Sequence, residues 1–175
     1  MANLDPNTWY QVYNNDSGPA YGLFVAFPNP PPYGAVFLSP FNQTSTNQQW
    51  QILHAPGQSG PYLLRSSYLG PNYFMGVTAQ TGISCGANGC NTVPDMVPTN
   101  LTDNSTQWTF GPWQDGSFYM WNAANGTSFL MNIQPDRILL KMDSDINSNL
   151  SGEQWSFSSI APINDTAFAT VRAQP

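Results

Sequence analysis

Groups that could carry covalent chemistry are scarce among these 175 residues. There is one histidine, His54, one glutamate, Glu153, nine aspartates, two cysteines and four cations, Lys141, Arg65, Arg137 and Arg172. A Ser-His-Asp or Cys-His site would have to use His54, and no nucleophile motif accompanies it. Glycosidic hydrolysis needs two facing carboxyl groups at a set separation, and Glu153, one of few candidates, occupies a repeat position described below. No zinc, P-loop or dinucleotide motif occurs. Asp143-Ser144-Asp145-Ile146-Asn147 has the spacing that opens a calcium loop, but Ser148 stands where that loop needs Gly and Gln154 where it needs a bidentate Glu. A solvated polar loop is the simpler reading. The chain is expected to bind rather than catalyse, with no metal and no cofactor.

What the sequence offers instead is Asn, Asp and Gln beside aromatic rings, the partners of hydroxyl groups and of flat apolar faces. Tyr33, Tyr68, Tyr73, Phe74, Trp113 and Trp121 lie at or near loops rich in Pro, Gly and Asn, where binding residues concentrate on rigid scaffolds. The same rings could equally cap a barrel or cover loop backbone.

Composition sets the class. Hydrophobic residues make up 41% and aromatics 14%, enough for a core, while charged residues are only 8% and the net charge is −6. Such a surface repels nucleic acid and anionic membranes, so neither is expected as a partner. Sixteen prolines and fourteen glycines interrupt every candidate helix. No run reaches the roughly 18 apolar residues of a membrane span, so no membrane insertion is expected. The opening MANLDPNTWYQVYN lacks the n- and h-regions of a signal peptide.

Two features bear on compartment. Seven N-x-S/T sequons begin at Asn15, Asn42, Asn100, Asn104, Asn125, Asn149 and Asn164, where this composition gives about three by chance. Cys85 and Cys90 bracket turn-forming Gly and Asn and could close a small disulfide loop. Both fit a secreted or cell-surface domain whose leader has been removed. The alternative is a cytoplasmic protein with two free thiols and sequons that are turn chemistry.

The elements that must position these residues recur three times. Asn47-Gln48-Gln49-Trp50-Gln51-Ile52, Ser105-Thr106-Gln107-Trp108-Thr109-Phe110 and Gly152-Glu153-Gln154-Trp155-Ser156-Phe157 each lead a polar loop into a strand with an inward Trp. Matched starts are Trp9–Asn14, Pro61–Ser66 and Phe118–Asn122, and from Tyr10 to Trp50, Tyr62 to Trp108 and Tyr119 to Trp155 are 40, 46 and 36 residues. Between them lie Leu23–Phe27 and Ala35–Leu38, then Tyr73–Val77 and a weaker Thr92–Val97, then Ser128–Ile133 and Arg137–Met142. Twelve strands in three four-stranded repeats around a pseudo-threefold axis predict an all-β β-trefoil, since one such unit cannot cover its own apolar face. The domain spans 1–160, with repeats near 7–56, 57–114 and 115–160, and 161–175 reads as a C-terminal tail.

The Gln-x-Trp signature resembles that of the ricin B-type lectins. Asn47-Gln48-Gln49-Trp50 fits in full, and Thr106 and Glu153 replace the first Gln in the other two copies, a variant similar to fungal members. The resemblance covers Trp9 to Ile160. It implies, on each repeat, a carboxylate in the second strand region, a stacking aromatic in the third strand and an amide just before Gln-x-Trp. Asn47 matches that amide in the first repeat. Asn104, Asn72 and Tyr73, with Phe74, could serve in the second. Asn132 and Asp136 lie about where the third repeat needs its carboxylate. No repeat has the full set.

The expected function is therefore a carbohydrate-binding, lectin-like module whose partners are glycans or glycoproteins. The alternative is a protein-binding trefoil, such as a protease inhibitor or host-interacting secreted protein, using the Pro28–Tyr33 loop.

Overall fold

The computed structural model describes residues 4–26, 34–57, 60–79, 92–98, 100–144, 146 and 151–169. The Cys85–Cys90 pair and the Pro28–Tyr33 loop lie outside them.

Strands such as Gly34–Pro40 and Leu140–Asp143 alternate buried with more exposed residues and so bury one face. Trp50–His54, Tyr62–Ser66 and Leu130–Ile133 are buried along nearly their whole length. The first repeat gives β1 (Thr8–Asn14), β2 (Tyr21–Val25), β3 (Gly34–Pro40) and β4 (Trp50–His54). The second gives β5 (Tyr62–Ser66), β6 (Tyr73–Ala79), β7 (Thr92–Pro98) and β8 (Trp108–Pro112). The third gives β9 (Phe118–Asn122), β10 (Leu130–Ile133), β11 (Leu140–Asp143) and β12 (Trp155–Pro162). The weakly patterned Thr92–Val97 is thus a full strand, paired with β6 along its length.

The outer strands close an antiparallel barrel in the order β1-β12-β9-β8-β5-β4. The inner ones form the hairpins β2–β3, β6–β7 and β10–β11. The first two hairpins join through β3 and β7, and Leu38 N donates to Ile138 O across to the third at 2.8 Å. The chain is a β-trefoil.

Threefold repetition extends to single hydrogen bonds. Trp50, Trp108 and Trp155 are fully buried. Their Nε1 atoms donate to the carbonyls of Leu23, Met75 and Met131, each at 2.8 Å. Each Trp thereby ties a barrel strand to the hairpin of its own repeat and satisfies a polar atom that would be costly to bury alone. A one-turn 3-10 segment precedes each: Thr46–Gln48, Asn104–Thr106 and Ser151–Glu153. The last residue of a repeat's first strand holds the preceding repeat's turn. Asn122 Nδ2 donates to Ser105 O, Asn14 Nδ2 to Gly152 O and Ser66 Oγ to Thr46 O.

Beneath the tryptophans lie the cross-strand pairs Leu23/Leu38, Met75/Met96 and Met131/Met142. With Met120, all five of these methionines are fully buried.

Two expectations are corrected here. Phe74 is no loop aromatic: it is fully buried against Leu53, Ala55 and Leu63. Residues 161–169 are no free tail either. β12 runs on to Pro162 alongside β1, Ile163 N donates to Asn7 O at 2.8 Å, and Phe168 is buried on the barrel wall.

Candidate functional site

Register from the Trp-bonded carbonyls aligns the three hairpins residue by residue. The next residue and its cross-strand partner are Phe24/Phe37, Gly76/Asp95 and Asn132/Lys141. The middle residue of the 3-10 turn beside this position, three before each Trp, is Asn47, Ser105 and Gly152 in turn. One location therefore carries three chemistries.

In the first repeat the location is filled. Phe24 and Phe37 pack with ring centroids 5.2 Å apart, and Asn47 Nδ2 donates to Val25 O at 2.7 Å. In the second, Gly76 lies against the turn backbone, where a Cβ would come 3.1 Å from Ser105 O. Its partner Asp95 accepts from Met96 N at 2.8 Å, and desolvation pushes its carboxyl above the usual range.

The third repeat is open. Gly152 has no side chain where the others have Asn and Ser, and a Cβ there would overlap Asn132 Oδ1. The space becomes a cleft of about 400 Å³ floored in part by Ile133 and Pro135. Asn132 Nδ2 donates to Asp143 Oδ2 at 3.3 Å, and Lys141 Nζ pairs with the same oxygen at 2.6 Å. Asp16, from the first repeat, closes the opposite side. It accepts from Ser151 Oγ at 2.8 Å and pairs with Arg137 Nε at 3.1 Å. Two of the chain's four cations thus converge on one cleft of an acidic protein. Their pairs with Asp16 and Asp143 keep the site near neutral and alternate donors with acceptors along it.

Asp136 does not join this cleft. Its Oδ1 accepts from Ile138 N and Leu139 N at 2.9 and 3.0 Å, bonds that hold its exposed carboxyl below the usual range. The turn so fixed carries Arg137 at φ 58°, a left-handed conformation costing an ordinary residue about 1–2 kcal/mol. Asp136 therefore fixes the turn that carries Arg137.

Of the other residues expected from sequence, Asn47 is committed to Val25, while Asn72 and Asn104 are exposed and Tyr73 is half-buried against the core. None of these four lines the cleft with Asn132. Asp16, Arg137, Lys141, Asp143 and Ser151 were not foreseen as partners of Asn132. Lys141 and Asp143, two apart on β11, share its outward face, and that spacing was the available signal. Asp143, which opens the calcium-like spacing set aside above, is engaged by Lys141 and Asn132; Asp145 and Asn147 lie outside the described residues.

Two sequons also prove to be turn devices. Asn42 Oδ1 accepts from Thr44 N and Oγ1, and Asn100 Oδ1 does the same for Thr102, at equivalent places in their repeats. Part of the sequon excess is thus explained by Asx-turn geometry.

No protein-family model matches the sequence, and no curated protein matches it. Solved structures do share the fold. A mosquitocidal holotoxin matches with TM-score 0.68 and 17% identity over 90% of this chain, and a GlcNAcα1-4Gal-releasing endo-β-galactosidase from Clostridium perfringens with 0.63 and 16% over 87%. The chain spans only 18% and 32% of those two proteins. A Macrolepiota procera ricin B-like lectin, solved in complex with lactose, matches with TM-score 0.63 and 12% identity, over 89% of this chain and 98% of the lectin. At these identities the likeness establishes the shared β-trefoil.

Proposed function

We propose that the chain is a carbohydrate-binding, lectin-like module, without enzymatic activity, that holds a glycan in the third-repeat cleft. The observation that carries this is the cleft itself. Asn132, Asp143 and Asp16 present acceptors, Lys141, Arg137 and Ser151 present donors, and Ile133 with Pro135 gives an apolar floor. Vicinal hydroxyl groups donate and accept at once, which suits such an alternating rim. The lactose complex of the lectin lends support through the shared fold, as does the endo-β-galactosidase, of which this chain spans 32%. Exposed sequon asparagines at positions 15, 104 and 164 suit an extracellular or cell-surface setting.

The test is a glycan array probed with multimerised protein, since single shallow sites bind weakly and avidity makes them visible. Saturable binding, competed by free sugar, should fall about tenfold or more in Asp143→Ala, with folding retained. A blank array, or binding indifferent to Asp143→Ala, would sink the assignment.

A further inference from the structure

Barrel hairpins β4–β5 and β8–β9 are equivalent, yet their outer faces end differently. On β4–β5 the outward residues Gln51, Leu53, Leu63 and Arg65 are at most 5% exposed. The chain itself seals them: Gln51 Nε2 and Arg65 Nη2 donate to Phe168 O, and Leu53 and Leu63 pack on Phe74. On β8–β9 the register places Thr109, Gly111, Tyr119 and Trp121 at those positions, and Thr109, Tyr119 and Trp121 remain half-exposed.

Tyr119 lies flat across Gly111, where a Cβ would overlap its ring. Trp113 meets Tyr119 edge-on, centroids 5.0 Å apart at 64°. With Trp121, Thr127, Leu130 and the exposed Ile146 they bound a recess of about 240 Å³, which shares no lining residue with the cleft. That volume is below the roughly 300–1,000 Å³ of pockets for drug-sized ligands, so it takes a single ring.

We propose that this recess is a second sugar site, holding one neutral pyranose with its C–H face against Trp121 and Tyr119. Among the described residues no charged side chain lines it, so its described lining offers no partner to an acid or a cation. Tyr119 OH, Trp121 Nε1 and Thr127 Oγ1 make no hydrogen bond among the described residues. A purely apolar guest would strip water from these groups without replacing it, whereas hydroxyls at a pyranose edge satisfy them. The assignment rests on the chain being a glycan binder and adds a site of different chemistry, stacking rather than charge.

Tryptophan emission reads this site directly, because Trp50, Trp108 and Trp155 are shielded and Trp113 and Trp121 are not. The full chain is titrated with the methyl glycosides of galactose, N-acetylgalactosamine, glucose and mannose. At least one should give a saturable blue shift with Kd on the order of 1 mM. Trp121→Leu, which keeps apolar bulk but removes the flat face, should weaken it about tenfold, while Asp143→Ala leaves it intact. Should Trp121→Leu misfold by near-UV dichroism, Thr127→Val carries the same test at the rim. A flat titration with all four glycosides, or a shift surviving both Trp121→Leu and Thr127→Val, overturns the proposal. If array binding depends on Asp143 but emission never responds, the cleft stands and the recess falls; an emission response beside a blank array gives the reverse.

Discussion

Asp95 and Asp136 carry the same carboxyl group into opposite surroundings. Asp95 is partly buried on β7, and desolvation raises its pKa despite bonds from Met96 and Thr78. Its folded form therefore holds a proton more tightly than the unfolded chain, so its contribution to stability is present at low pH and lost as pH rises through the raised value. Asp136 is exposed with its pKa lowered by two backbone N–H groups. Its contribution is present at neutral pH and lost as pH falls through the lowered value. Melting temperatures measured from about pH 3 to 7 should separate the two. Asp95→Asn should melt above the parent chain at neutral pH, the gap closing on acidification. Asp136→Asn should melt below it at neutral pH and converge in acid. Parallel curves for both variants would contradict these assignments. The two carboxyls also show what sequence leaves hidden at this scale. Asn132 was recognisable from its place in the repeat, but Asp136, in the turn after β10, is much nearer to it in sequence than Asp143 at the end of β11. Only the turn's hydrogen bonds decide that Asp143 faces Asn132 and Asp136 does not.

At the scale of elements, strands were legible wherever burial alternates, and the three Gln-Trp segments named the barrel strands outright. The segment after β12 was not, because its one buried ring stands among small and polar residues with no period. Phe168 nonetheless closes a wall of the barrel. Its ring meets Trp9 edge-on at 4.8 Å, and the Arg65 guanidinium lies 5.1 Å over it. Its carbonyl accepts from Gln51 Nε2 and Arg65 Nη2 at 3.0 and 2.9 Å. Arg65 is 3% exposed and makes no ion pair among the described residues, and burial depresses its pKa to about 10. Carbonyl and amide oxygens thus replace the carboxylate a buried cation would ordinarily seek. Phe168→Ala should cost about 3 kcal/mol in urea unfolding, the scale of a buried Phe truncation, and Phe168→Leu distinctly less. Equal, small losses for both would mean that the segment is not seated on the wall.

For the whole molecule, closure depends on β1 lying beside β12, the two ends of the trefoil in sequence. Pairings of such separation make folding slow and tend to make unfolding all-or-none. The threefold scaffold was readable because it is periodic. The cleft was not, because it exists through a departure from the period, Gly152 where the other turns carry Asn47 and Ser105. The repeats are alike in what holds them together and unlike in what they present outward.

The sulfur lining of the interior gives that cooperativity a chemical clock. Met75, Met96, Met120, Met131 and Met142 are all sheltered from solvent, and thioether oxidation by peroxide requires access. In dilute peroxide the intact chain should at first keep these five sulfurs unoxidised. The five core sulfurs should then react together, at the rate at which the closed barrel opens as one unit. Mass spectra would show an early species and a fully oxidised one with few intermediates between. A ladder beginning at Met131 and Met142 would instead reveal that the third repeat opens ahead of its neighbours, and the cleft with it.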